Sequence, residues 1–239
     1  MTRVLVTRPE PAASRTAEKL TERGYSVTVL PLTRIVPLPV REELFSGPFD
    51  GVAATSANAI RHAPAGLLAT LRYLPAFAVG ESTALAFRRH GFTAVHSSNE
   101  DAGALAALIG GQGHTLARLA YLCGRVRTPA FEAEIEKNGT EISTIETYDA
   151  QILSYGADLL RNSLAGEPFD AVLLYSARAA EACERLLGGG VVEPALFDRA
   201  RFVCLSARIA AVLSGKWREN TVSCALPEEK ALFGLLANL

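Results

Sequence analysis

Short, wholly apolar runs alternate along this chain with longer Ala- and Leu-rich stretches whose apolar positions recur at helical spacing. That is the pattern of βα units and parallel sheets. Val4-Leu5-Val6-Thr7 predicts a strand. Pro9-Glu10-Pro11 opens a helix whose Ala13, Ala17 and Leu20 share a face, and Gly24 closes it. Ser26 to Leu30 predicts the next strand. The same order recurs at Ala120-Tyr121-Leu122-Cys123-Gly124, a helix over about 129–138, Gly139 as its stop and a strand over 142–148.

A second pair of segments repeats as well. Phe49-Asp50-Gly51-Val52-Ala53-Ala54-Thr55-Ser56-Ala57-Asn58-Ala59 resembles Phe169-Asp170-Ala171-Val172-Leu173-Leu174-Tyr175-Ser176-Ala177-Arg178-Ala179. Phe77 to Ala84 has a counterpart in Val203 to Ala210. With only two copies, these are duplicates of one α/β unit rather than a solenoid. Because 1–30 resembles 119–148 while 49–112 resembles 169–239, one copy is continuous and the other is split. The expected architecture is therefore α/β: two similar flavodoxin-like parallel-sheet domains joined by a two-stranded connector, one domain discontinuous. Residues 1–32 plus 153–239 form the discontinuous domain, 38–148 the inserted one, and 33–37 and 148–152 the connector strands. So thin a connector implies relative domain motion and a cleft. The competing arrangement is one doubly wound sheet of about eight to ten strands.

Composition narrows the function classes. The 239 residues are 49% apolar and 21% charged, enough to bury a substantial core and unlike a disordered or collagen-like chain. A formal charge of −1 supplies no field that would recruit nucleic acid or an anionic membrane. The longest stretch free of Asp, Glu, Lys and Arg, 102–117, is broken by glycines and does not read as a membrane span. The first residues lack the apolar core of a signal peptide, so a cytoplasmic location is expected. Nothing demands an oligomer, and a monomer is expected. Cys123, Cys183, Cys204 and Cys224 lie far apart and read as buried thiols of a reducing compartment. Neither they nor His62, His90, His96 and His114 show metal-ligand spacing. No metal and no cofactor is expected.

The strand ends are more informative. Thr7-Arg8, Thr55-Ser56, Val79-Gly80, Gly124-Arg125, Tyr175-Ser176 and Leu205-Ser206 place small or hydroxyl residues where a parallel strand hands over to a helix. In open α/β sheets ligands bind at that edge, where helix N-termini offer free amides to carboxylate or phosphate. Each hydroxyl also suits a simple helix cap. GxGxxG, GxxxxGK[ST] and GxSxG are absent, which excludes the common nucleotide sites and the esterase elbow.

At these residues the chain resembles the uroporphyrinogen-III synthase family. The resemblance rests on Leu5-Val6-Thr7-Arg8-Pro9, Thr55-Ser56-Ala57-Asn58-Ala59, Val79-Gly80-Glu81-Ser82-Thr83-Ala84, Cys123-Gly124 and Glu146-Thr147-Tyr148, in that order. It implies a cofactor-free lyase that cyclises the linear tetrapyrrole hydroxymethylbilane, losing water and inverting ring D through a spirocyclic intermediate. The ligand's eight carboxylates would be held largely by backbone amides. Carried over by position, Tyr148 matches the tyrosine that assists departure of the hydroxyl group. Thr55, Ser56 and Asn58 match one binding loop, and Gly80, Ser82 and Thr83 a second. Ser176, Ala177 and Ser206 match the split domain's loops. Arg8, Gly124, Arg125 and Arg178 complete the expected substrate-binding set, with Arg127 and Arg208 as further cations beside strand ends. Two stretches depart from the family pattern: Ser206-Ala207-Arg208-Ile209-Ala210 lacks a hydroxyl at Ile209, and 124–129 lacks an Arg-Glu pair. The alternative function is a non-catalytic two-domain module that binds an organic polyanion.

Overall fold

A computed structural model describes residues 1–41, 43, 47–98, 102–111, 116–127 and 129–239; His114 lies outside them. Its strands are β1 (Arg3–Val6), β2 (Ser26–Val29), β3 (Thr33–Pro37), β4 (Gly51–Ala54), β5 (Ala76–Val79), β6 (Val95–Ser98), β7 (Arg118–Gly124), β8 (Glu141–Ile152), β9 (Ala171–Leu174), β10 (Arg201–Cys204) and β11 (Thr221–Ser223). The helices that position the site are α1 (Ala12–Thr21), α2 (Ala57–Arg61), α4 (Glu81–Arg89), α6 (Ala130–Lys137), α8 (Ala177–Gly188), α9 (Ala207–Ala210) and α11 (Glu229–Leu236); α3 (Ala65–Leu71), α5 (Ala102–Gly111), α7 (Ala157–Leu164) and α10 (Gly215–Glu219) complete the set.

Two sheets form, not one. The first has the order β11-β10-β9-β1-β2 and the second β3-β8-β7-β4-β5-β6. Chain contacts divide the molecule into one unit of Met1–Arg34 with Gln151–Leu239 and another of Ile35–Ala150. The central strands β1, β4 and β9 are apolar almost throughout and buried, because a parallel sheet is covered on both faces. Alternation then sorts their side chains. Leu5, Val172 and Leu174 enter one core with α8, whereas Val4, Val6, Ala171 and Leu173 enter another with α1 and α11. In the second unit Val52, Ala54, Ala120 and Leu122 pack under α2 and α4, and Ala53, Leu119, Tyr121 and Cys123 under α5 and α6.

Aligning the sheets reveals their kinship. The order β6-β5-β4-β7-β8 of the second maps onto β11-β10-β9-β1-β2 of the first. Counted along the first unit's chain, this is the flavodoxin-like order 2-1-3-4-5; the second unit is a circular permutation of it. The chain crosses between units within β3 and returns within β8. These neighbours run antiparallel, since Leu38 donates to Thr147 and Leu153 to Leu32.

Boundaries differ from the sequence reading in two places. α1 starts only at Ala12, with Pro11 at its N-cap, because a proline ring disfavours helical backbone at the residue before it, here Glu10. The strand expected over 142–148 runs on to Ile152, since β3 pairs with its second half.

Candidate functional site

Each sheet has one point where the order reverses, between β1 and β9 in the first unit and between β7 and β4 in the second. There the following helices leave to opposite faces, opening a crevice at the carboxyl ends of the strands.

In the second unit this crevice gathers Thr55, Ser56, Gly124, Arg125 and Tyr148. Ser56 is extended and its hydroxyl accepts from the Asn58 amide, capping α2. The Thr55 and Tyr121 hydroxyls are hydrogen-bonded at 3.0 Å. β8 carries a bulge: Cys123 faces Glu146, but Gly124 faces Tyr148, so one extra residue sits between them. A bulge re-aims the side chains that follow it. Here it keeps Thr147 buried, donating to the Ala59 carbonyl at 2.7 Å, and turns Tyr148 onto the face of Ile145, Ala59 and Ile60. Tyr148 then lies over Gly124. A Cβ on that glycine would sit 2.7 Å from the ring's Cζ and 3.0 Å from its hydroxyl, so only glycine fits. Burial raises the Tyr148 pKa above the ordinary phenol value, with the Ser56 hydroxyl beside it pulling the other way. The phenol therefore stays protonated at neutral pH. His62 lies alongside, ring centroids 6.4 Å apart, and burial and the neighbouring Arg61 lower its pKa.

The next strand end is built differently. Gly80 holds φ +73°, which suits glycine alone, and its carbonyl accepts from Thr83 and Ala84. The amides of Glu81 and Ser82 precede the first intrahelical donor, Thr83, and so have no acceptor within α4. Ser82 is exposed; Thr83 is buried, so its side chain packs inward while its amide serves the turn.

In the first unit Arg8 does not stand alone. Its guanidinium lies 4.1 Å from the Tyr175 ring centroid and donates to Glu229 at 2.8 Å and Thr16 at 3.2 Å. Lys19 also pairs with Glu229, whose pKa is lowered: burial pushes it up, but Lys19, Thr16 and Arg8 outweigh that. Ser176 is exposed and caps α8 by accepting from Ala179 at 3.1 Å, with Ala177 following it and Arg178 paired to Glu181. Ser206 occupies the cap position of α9 without a side-chain bond there, and Arg208 is exposed.

Arg125 and Arg127 both meet Glu146, at 3.4 and 3.0 Å, and Arg127 also meets Glu132 at 2.7 Å. An Arg-Glu pair is thus present at the start of α6, contributed by residues five apart in sequence. Among the described residues no three His, Cys, Asp or Glu side chains gather as metal ligands. The four cysteines are free and buried, and burial pushes Cys123, Cys183 and Cys204 up to about 12, which leaves them unreactive thiols.

The family model described as uroporphyrinogen-III synthase HemD matches residues 14–234. The chain belongs to the uroporphyrinogen-III synthase family. Solved synthases share its fold. Uroporphyrinogen-III synthetase from Helicobacter pylori 26695 covers 100% of this chain and 99% of its own at 17% identity, with a TM-score of 0.67. A mutant uroporphyrinogen III synthase from the extremely thermophilic bacterium Thermus thermophilus covers 100% and 97% at 20% identity, with a TM-score of 0.58. No curated protein matches the chain by sequence.

Three residues beside these strand ends gave little sign of their partners in the sequence. Tyr121 reads as one more apolar strand position, yet its hydroxyl reaches Thr55. Thr147 reads as a β-branched strand residue, yet it ties β8 to α2. Glu229 lies 221 positions from Arg8, beyond the reach of any local pattern.

Proposed function

We propose that the chain is a uroporphyrinogen-III synthase, a lyase that cyclises hydroxymethylbilane with loss of water and inversion of ring D. The observation that carries this reading is Tyr148, set over Gly124 by a bulge and flanked by the Ser56 hydroxyl at a topological switch point. Departure of hydroxyl from a pyrrolic carbinol is driven by the pyrrole nitrogen's electron pair and asks little of an acid. A phenol with a raised pKa is a poor proton donor but a fixed hydrogen-bond donor, so Tyr148 steadies the leaving oxygen rather than protonating it outright. The larger task is conformational, because the chain's two ends must meet with ring D inverted. Strand-end amides at Ser56 and Gly80–Ser82 grip carboxylates, which lets a protein of near-zero net charge bind a polyanion. The enzyme is proposed to act as a cytoplasmic monomer without a cofactor.

Hydroxymethylbilane left alone closes without inversion to the type I isomer. Incubation with the protein is expected to give the type III isomer, separated chromatographically. A purely type I product at high protein concentration would leave a polyanion-binding module as the surviving account. Tyr148→Phe is expected to fold normally and to lose about tenfold in turnover, the worth of one hydrogen bond made in the transition state. Unchanged turnover removes the phenol from the mechanism.

A further inference from the structure

Beside Tyr148, but on the opposite face of β8, the second unit holds a pocket of about 290 Å³ whose polar lining is Arg41, Arg125, Arg127, Thr144 and Glu146. The chain after β3 forms its outer wall, anchored where Leu38 donates to Thr147 at 2.9 Å. The five polar groups are not equally engaged. Arg127 is held by Glu132 and Glu146, and Arg125 by Glu146 at 3.4 Å with Asp149 at 3.9 Å. Those three carboxylates outweigh the two cations, so neither arginine is left with charge to spare. Arg41 has no ion pair or hydrogen bond among the described residues, and neither has the Thr144 hydroxyl. The pocket therefore offers one whole guanidinium fork and one hydroxyl around a space larger than a carboxylate or phosphate group, while the Glu146 carboxylate in its wall is held by Arg125 and Arg127.

We infer that this pocket is an oxyanion subsite in which Arg41 binds one carboxylate side chain of the substrate bidentately and Thr144 adds a second hydrogen bond. The identity of the ligand rests on the synthase reading; the oxyanion chemistry does not. The subsite lies two to four residues along β8 from Tyr148, and the amide of Arg125 bonds the Tyr148 carbonyl at 2.9 Å, so occupancy here anchors the strand that carries the phenol. A peripheral anchor of this kind contributes equally to ground and transition states, so it lowers KM and leaves kcat alone.

Arg41→Met and Thr144→Val test it, with Arg89→Met, which removes one exposed positive charge at the end of α4, as the control for general electrostatics. Arg41→Met is expected to raise KM for hydroxymethylbilane about tenfold and weaken binding of the type III product in proportion, with kcat within about twofold and the isomer unchanged. Thr144→Val is expected to raise KM about threefold and Arg89→Met to leave it unaltered. Equal effects of Arg41→Met and Arg89→Met overturn the subsite. A second arm needs no turnover: inorganic phosphate titrated into ¹⁵N-arginine-labelled protein, read at the Nε resonances. Shifts at Arg41 but not at Arg89 support the oxyanion site, and if the protein forms no type III isomer they assign it to a free oxyanion. No selective shift at Arg41, together with unaltered product binding in Arg41→Met, overturns it.

Discussion

Gly124 and Tyr148 show how much of this site depends on single atoms. The glycine is needed for space rather than for backbone freedom, because a phenol ring occupies the volume a Cβ would take. Gly124→Ala must push the ring aside, and overpacking of this kind costs about 1–3 kcal/mol. The expected result is a modest loss of stability in urea and a fall in turnover close to that of Tyr148→Phe, since both variants remove the same hydroxyl from the same place. Wild-type turnover in Gly124→Ala would show that the ring's position is unimportant. The residue scale is also where sequence reading reached least. That Gly124 and Tyr148 belong together followed only from resemblance, whereas the contact between them arises from one extra residue in β8, which no periodicity announces. Arg8 stood out because it follows a strand. Its partner Glu229 approaches from the last helix, and only the folded chain brings the two to 2.8 Å.

At the scale of elements the sequence was far more legible, for a physical reason. Central parallel strands must be apolar on both faces, so GVAA, AVLL and RVLV announce themselves as buried strands whatever surrounds them. The internal repeat then established their equivalence: Ser56 and Ser176 cap corresponding helices with the same extended geometry, although one accepts from the second residue onward and the other from the third. Edges were harder. β6 and β11 are short and half-buried, and β8 serves two pairings at once, with β7 along its first part and β3 along its second, so no single alternation describes it. Turn chemistry filled some of the gap, since the glycines at 24 and 139 sit at positive φ where helices stop, as their sequence positions suggested.

For the molecule as a whole, the buried ionisable groups set a pH window. Burial pushes Cys123, Cys183 and Cys204 up to about 12, burial and the nearby Glu229 push Tyr175 to the same value, and burial raises Tyr121 and Tyr148. Each is neutral in the fold and ionises more easily once unfolded, at about 8.5 for a thiol and 10 for a phenol. Their contribution is thus intact below about pH 8 and is lost as pH climbs through about 9 towards 12. Glu229 has the opposite sign: its lowered pKa stabilises the fold above the ordinary carboxylate value and that contribution disappears as pH falls through the folded value. Calorimetry is expected to show a broad plateau of Tm around neutrality with a decline by about pH 10.5. A Tm as high at that pH as at neutrality would mean that the thiols and phenols are not sealed from water.

The split of the first unit bears on how the protein is made. β1 finds one neighbour, β2, within the first 30 residues, but its other, β9, begins at Ala171. While a ribosome is still translating 35–150, the amino-terminal βαβ piece has one open flank and half a core, whereas the inserted unit has every strand of its own sheet once Ile152 has emerged. The later-begun half is therefore the one that can mature first, and the earliest residues wait longest for their partners.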